Sequence, residues 1–271
     1  MNYKFIPLSS FKFLYLCPMD KLSAVIITLN EERNIRRCIE SLIGVADEVI
    51  VLDSLSTDTT KAICSEYDFV RFEERKWEGY SSSKNFANSL ASFSYIFSID
   101  ADEAVSGELK TAILHEKNQG FSGIYTVNRK TNYCGTWIHH SGWYPDYKVR
   151  IFPKDQTKWV GEYVHEELEF SAPFQEKLLS GDLHHYSYYD YTDHRTRADK
   201  YSLLTARKMN ARGKKAGIFK PYLSALGRFI SMYLIKRGFL DGYAGWKIAT
   251  ISAQSNIFKY KELRRLNKKD A

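Results

Sequence analysis

Tyr95-Ile96-Phe97-Ser98-Ile99-Asp100-Ala101-Asp102-Glu103 runs from an apolar segment straight into three carboxylates. The apolar half has the length and residue types of a strand covered on both faces, as the strands of parallel sheets are. Ligands of such sheets collect at the carboxyl ends of the strands, where these acids would stand. Carboxylates there suit a hard cation or polar substrate groups. Taken alone, the stretch also fits a strand followed by a solvated acidic turn.

The same arrangement recurs upstream. Residues 22–29 are apolar and rich in β-branched side chains, and stop at Asn30-Glu31-Glu32. Ile35, Cys38, Ile39, Leu42 and Ile43 then recur at helical spacing, with Gly44 as the stop. Residues 48–52 predict a second strand ending in Asp53, and Ser56 to Asp58 offer caps for a helix carrying Ile63, Cys64 and Tyr67. Val70 and Phe72 mark a third strand, and Ser81 to Ser83 an N-cap for a helix bearing Phe86, Ala87, Leu90 and Phe93. Strands alternating with helices predict βαβ units and an α/β fold with a mostly parallel sheet. Beyond Glu103 the pattern is mixed: strands are expected at 123–128, 147–152 and 158–163, antiparallel at the sheet edge, among Trp137, Trp143, Tyr144 and Trp159. From about Thr192 the chain reads as helical and basic, with a second helix over 221–240. The expected organisation is an irregular leader at 1–18, Met19 as the native start, a nucleotide-binding and catalytic domain at 19–191 and a helical extension at 192–271.

The 271 residues suffice for one core with additions, and 39 basic against 32 acidic residues give a net charge of +7. That excess suits anionic partners without choosing among phosphates, nucleic acid and a membrane face. The four cysteines show no C-x-x-C spacing, so neither a zinc site nor a disulfide framework is expected, which fits a cytoplasmic setting. No apolar run reaches the roughly 18 residues a spanning helix needs.

The first strand tip, Thr28-Leu29-Asn30-Glu31-Glu32, lacks the glycines of a dinucleotide fingerprint and the lysine of a phosphate loop. It would bind through side chains and backbone edges, or serve only as the acidic start of a helix. Asp53, ending an apolar strand, needs a partner if buried. Trp137, Trp143 and Tyr144 could stack on sugar faces or simply pack in a core.

Thr28-Leu29-Asn30-Glu31-Glu32, Asp53-Ser54-x-Ser-x-Asp58, Lys84-Asn85-Phe86-Ala87 and Asp100-Ala101-Asp102-Glu103, in that order, resemble the family-2 inverting glycosyltransferases of the GT-A, Rossmann-like fold. Gly142-Trp143-Tyr144-Pro145-Asp146, Arg150-Ile151-Phe152 and Val164-His165-Glu166 look like the subgroup of lipopolysaccharide-core β-1,4-glucosyltransferases. The resemblance covers residues 20–170 well and the tail more loosely. It implies that Thr28, Asn30, Glu31 and Asp53 hold the uridine of a UDP-sugar, with Lys84 near the diphosphate and Asp100 on ribose or sugar. Asp102 would bind Mg²⁺ or Mn²⁺, with His165 as a further ligand or phosphate contact. Glu166 falls where related enzymes carry the catalytic base, and Asp146 is the runner-up. Trp143 is the candidate sugar contact. The acceptor implied is a lipid-linked saccharide of the bacterial envelope.

The basic helices, followed by an amphipathic stretch, are expected to attach peripherally to an anionic membrane, the inner face of the cytoplasmic membrane. Two other classes remain in view. A Rossmann-type oxidoreductase would explain the alternating strands but not the missing glycines. A nucleic-acid-binding protein would explain the charge, yet acids at three successive strand tips would repel phosphates, so no nucleic-acid partner is expected.

Overall fold

β1 (Leu22–Thr28) is covered on both faces along nearly its whole length, because its apolar side chains have helices above and below. The computed structural model describes residues 20–161 and 166–269. The expected leader at 1–18, Met19 and His165 lie outside the described residues. After β1 come α1 (Ile35–Leu42), β2 (Glu48–Asp53), α2 (Thr60–Cys64), β3 (Val70–Glu74), α3 (Tyr80–Ser89) and β4 (Tyr95–Ser98). α1 buries Ile35, Cys38, Ile39 and Leu42 and ends before Gly44, whose φ of +72° glycine adopts without strain. α3 starts after Gly79 with no side-chain cap, so Ser81 to Ser83 lie inside the helix instead of capping it. Ser81 Oγ is drawn away to donate to the Gly161 carbonyl at 2.9 Å.

The second half runs β5 (Glu103–Val105), α4 (Gly107–Gln119), β6 (Ile124–Tyr133), β7 (Thr136–Trp137), β8 (Tyr147–Pro153), β9 (Thr157–Val160), β10 (Glu167–Phe170) and β11 (Glu176–Tyr188). Among the described residues one sheet has the order β3-β2-β1-β4-β8-β6-β11-β5, with β7 beside β6, and β9-β10 form a separate ribbon. The strands β3, β2, β1 and β4 are mutually parallel. β8 lies antiparallel to both β4 and β6, β6 pairs parallel with β11, and β5 closes the far edge antiparallel. The antiparallel element therefore enters next to β4 and reaches well past an edge.

Chain direction around β1 positions the site. β2 and β3 lie on one side of β1 and β4 on the other, so the crevice between the tips of β1 and β4 is the switch point at which parallel sheets bind ligands. The largest buried cluster packs α1 and α4 on one face, through Ile39, Leu109 and Ile113. A second, around Ile50, Ala87, Ile96 and Phe152, holds α3 on the other.

α5 (Tyr191–Ala211) leads to α6 (Lys220–Phe229), a π-helical turn (Ile230–Ile235), a 3₁₀ turn (Gly238–Asp241) and α7 (Gly242–Lys269). The helix expected over 221–240 is thus broken. Arg237 takes a left-handed conformation (φ 54°), and Gly238 beside it packs against the Met232 carbonyl, an approach any Cβ would prevent. Among the described residues no helix is long and apolar enough to cross a membrane.

Candidate active site

The tips of β1 and β2 are stitched into one loop platform. Asp53, 1% exposed, accepts from Ser56 N at 2.6 Å and Ser56 Oγ at 2.5 Å. That is the partner its burial requires. Ser56 Oγ in turn accepts from Asn30 N at 2.7 Å, and Asn30 Oδ1 accepts from Thr57 N at 2.8 Å. Asp58 accepts from Glu32 N at 3.1 Å and Thr60 N at 3.0 Å. Asn30 and Asp53 therefore shape the platform from beneath, while Thr28 and Glu31 face the open space.

That space is a cavity of about 890 Å³ over the carboxyl ends of β1 and β4. Thr28, Glu31, Lys84, Asp100, Asp102 and Glu166 all line it, drawn from separate parts of the chain. The Thr28 hydroxyl is buried without any hydrogen-bond partner, a polar atom left for a ligand to satisfy. Glu31 accepts from Asn34 Nδ2 at 2.8 Å, and burial pushes its carboxyl above the usual range.

At the β4 tip, Arg150 donates to Asp100 Oδ2 at 2.7 Å and to Glu103 Oε1 at 2.5 Å. Arg150 arrives through register: β8 runs antiparallel to β4 and pairs Ile151 with Phe97, which sets Arg150, one residue before Ile151, at the carboxyl end of β4. Burial works to raise the Asp100 carboxyl, but the charges of Arg150 and Lys84 outweigh it and hold the group well below the ordinary carboxylate range. Glu103, whose side chain is sealed from solvent, is instead pushed up by burial. Asp102 has a different neighbour, His185 Nε2 at 3.4 Å from its Oδ2. Register again supplies it, since β11 sets His185 opposite Glu103 and Tyr186 N donates to the Asp102 carbonyl at 2.8 Å.

Across the cavity, Glu166 Oε1 accepts from Lys84 Nζ at 3.1 Å, and that ammonium stands 4.3 Å from the Trp159 ring centroid. Glu166 thus carries a localised negative charge at the wall, braced by a cation that also faces Asp100.

The family description "Glycosyl transferase family 2" matches residues 23–180, which carry most of the residues that line the cavity. The chain belongs to glycosyl transferase family 2. A relative in Rickettsia felis, an uncharacterized glycosyltransferase, is 30% identical over 91% of this chain and 90% of its own length. The lipopolysaccharide core biosynthesis glycosyltransferase LpsC of Rhizobium meliloti is 27% identical over 94% of this chain and 99% of its own. Among solved structures, Staphylococcus aureus TarS is similar over 93% of this chain and 92% of that one, at 15% identity and a TM-score of 0.44. The sheet, parallel around β1 and mixed beyond β4, is the family's GT-A arrangement.

Trp143, the candidate sugar contact, and Asp146, the runner-up base, do not line the cavity, and neither do Trp137 and Tyr144. Trp143 packs against Tyr133, Tyr188 and His194 in an aromatic cluster outside the cavity lining. Asp146 is held by Arg129 at 2.7 Å and Lys148 at 3.0 Å and does not line the cavity; Arg129 does. In the other direction, the structure adds His185, Arg129, Trp77, Tyr80 and Tyr201 to the lining. His184 and His185 are adjacent on β11, so their side chains face opposite ways. Only one of the two needed to reach the site.

Among the described residues no three His, Cys, Asp or Glu side chains converge as a metal cage. Asp102 with His185 nonetheless fits a cation whose remaining ligands are phosphate oxygens and water, the usual state of Mg²⁺ at nucleotide sites.

Proposed function

We propose that this protein transfers a hexose, glucose, from a UDP-sugar to a lipid-linked saccharide of the lipopolysaccharide or lipooligosaccharide type, with inversion at the anomeric carbon. The observation that carries the reading is the cavity at the β1–β4 switch point, where an unpartnered Thr28 hydroxyl, Glu31, Asp100, Asp102 and Glu166 meet. Its family membership and its likeness to a lipopolysaccharide core glycosyltransferase support the same class.

Thr28 and Glu31 would take hydroxyl or carbonyl groups of the uridine, and Asn30 and Asp53 would keep the platform in shape. Asp102 and His185 would hold Mg²⁺ or Mn²⁺ against the diphosphate, a charge that stabilises the departing UDP. Asp100, kept anionic by Arg150, would accept from ribose or sugar hydroxyls. Glu166 would remove the proton of the attacking acceptor hydroxyl, and Lys84 would hold that carboxylate in place. Attachment to the anionic inner face of the cytoplasmic membrane would bring the lipid-linked acceptor within reach.

Thermal unfolding with UDP plus Mn²⁺ tests the donor: stability should rise, NAD should have no effect, and Asp102→Asn should lose the rise. Glu166→Gln should lower kcat about 10²- to 10⁴-fold while keeping the UDP-dependent shift. Asp146→Asn should keep most turnover. Full turnover in Glu166→Gln, or no response to UDP and metal, would overturn the assignment.

A further inference from the structure

α6 presents its apolar stripe outward. Phe219, Tyr222, Leu223, Leu226, Ile230 and Leu234 follow one another at helical spacing, and all are exposed, Phe219 at 71% and Leu223 at 66%. A surface helix ordinarily turns such a stripe to the core. The opposite side of α6 and its π-helical turn is apolar too, burying Pro221, Ala225 and Met232. The stripe continues through Ile235, 73% exposed, to Phe239, Tyr243 and Trp246 at the start of α7. Twelve of the twenty-four large exposed apolar side chains among the described residues fall within 218–246. Together they amount to an apolar area on the order of 1,000 Å², beyond what monomeric proteins usually leave in water.

The charges around this face have one sign. Residues 212–247 contain eight Lys and Arg and a single acid, Asp241. Asp241 is buried and occupied, accepting from His139 N at 3.0 Å, His140 N at 3.1 Å and Ser141 Oγ at 3.1 Å. Every exposed charge of the segment is therefore positive. The basic residues of α5 are a weaker candidate, because Arg195 pairs with Asp199 and Arg197 with Asp193 on their own helix.

We propose that the face formed by α6, the π-helical turn and the first turns of α7 inserts into the headgroup region of an anionic bilayer, as an anchor that lies in one leaflet. This deepens the lipid-linked acceptor reading above and rests on it for its purpose. Aromatic and aliphatic anchors framed by Lys and Arg are what such an interface selects. A second copy of this chain fits poorly, since pairing the face with itself would set like charges against each other. Ser202 and Ser255 bond across α5 and α7 at 2.5 Å, and α5 carries Tyr201 into the cavity wall. The anchor is thus braced against the catalytic cleft.

Flotation of the full chain with phosphatidylglycerol–phosphatidylethanolamine vesicles, against phosphatidylcholine vesicles, tests the proposal. The protein should float with the anionic vesicles at low salt and keep a salt-resistant fraction from apolar insertion. Lys214→Glu with Lys215→Glu should cut binding at least about tenfold at low salt. Leu223→Ser with Ile235→Ser should abolish the salt-resistant fraction while leaving UDP-sugar hydrolysis in solution unchanged. Brominated lipids should quench Trp246 fluorescence, and the quenching should vanish in Trp246→Phe. Failure to float at low salt would overturn the anchor, as would a dimer that Leu223→Ser dissociates. Vesicle binding without transfer to any lipid-linked saccharide would keep the anchor and sink the acceptor reading instead.

Discussion

Replacing Arg150 by Met removes a cation in hydrogen-bond contact with two carboxylates at once. Glu103 is the costlier of the two, because its side chain is sealed from solvent while that of Asp100 is 34% exposed and can be rehydrated. Breaking a buried ion pair by deleting one partner costs about 3–5 kcal/mol, most of it from the charge left behind. Two contacts soften the loss here: Arg129 at 3.5 Å from Glu103, and the Asp100 N–H that donates to Glu103 Oε2 at 3.0 Å. The expected penalty is therefore at the lower end, about 3 kcal/mol, or a fall in Tm of about 6–12 °C for a chain of this size. Urea unfolding followed by far-ultraviolet circular dichroism measures it. In the double variant Arg150→Met with Glu103→Gln, about half the loss should return, since the sealed carboxylate is gone. A single variant that loses less than about 1 kcal/mol, or a double variant no more stable than the single one, would refute the view that Arg150 neutralises the tip of β4.

Two further outcomes follow from the C-terminal packing. His194 sits among Tyr133, Trp143 and Tyr188 with its Nδ1 2.6 Å from the Tyr133 hydroxyl, and burial lowers its pKa from 6.5 to about 4. A depressed folded-state pKa stabilises above pH 6.5 and is lost as pH falls toward 4, so acid titration should remove about 2 kcal/mol across that window and His194→Phe should flatten it. Gly245→Ala would place a Cβ 1.8 Å from the Gly238 carbonyl oxygen, so α7 should lift from the 3₁₀ turn at a cost of about 3 kcal/mol. Hydrogen exchange in the first turns of α7 reads that loss, and unchanged protection there would contradict the close approach.

The parallel half of the sheet was legible because each of its elements declares itself locally. β1, β2 and β4 are short apolar runs, α1 has a one-sided stripe, and each strand ends in acids. β11 was missed although it is thirteen residues long. Gly181-Asp182 reads as a turn, but it is a bulge at which Gly181 passes against the Leu109 backbone at the start of α4. α4 itself went unread despite Ser106, whose hydroxyl accepts from Leu109 N at 3.2 Å as an N-cap. Within the expected helical extension, the glycines at 242 and 245 hid where α7 begins, and Gly245 serves a close approach to Gly238 that no local pattern announces.

What the sequence determined by itself is the alternation of strands and helices through β4 and the placing of acids at the strand tips. Those features follow from side-chain periodicity and turn chemistry within a few residues, which a linear chain displays directly. Only the tertiary structure decided that Arg150 neutralises Asp100 and Glu103, that His185 stands beside Asp102, and that Trp143 and Asp146 stand away from the cavity. These depend on the register of β8 and β11 against strands about fifty and eighty residues earlier in the chain. A one-residue slip in such a pairing would turn every side chain to the opposite face, and register is chosen by the packing of the whole sheet.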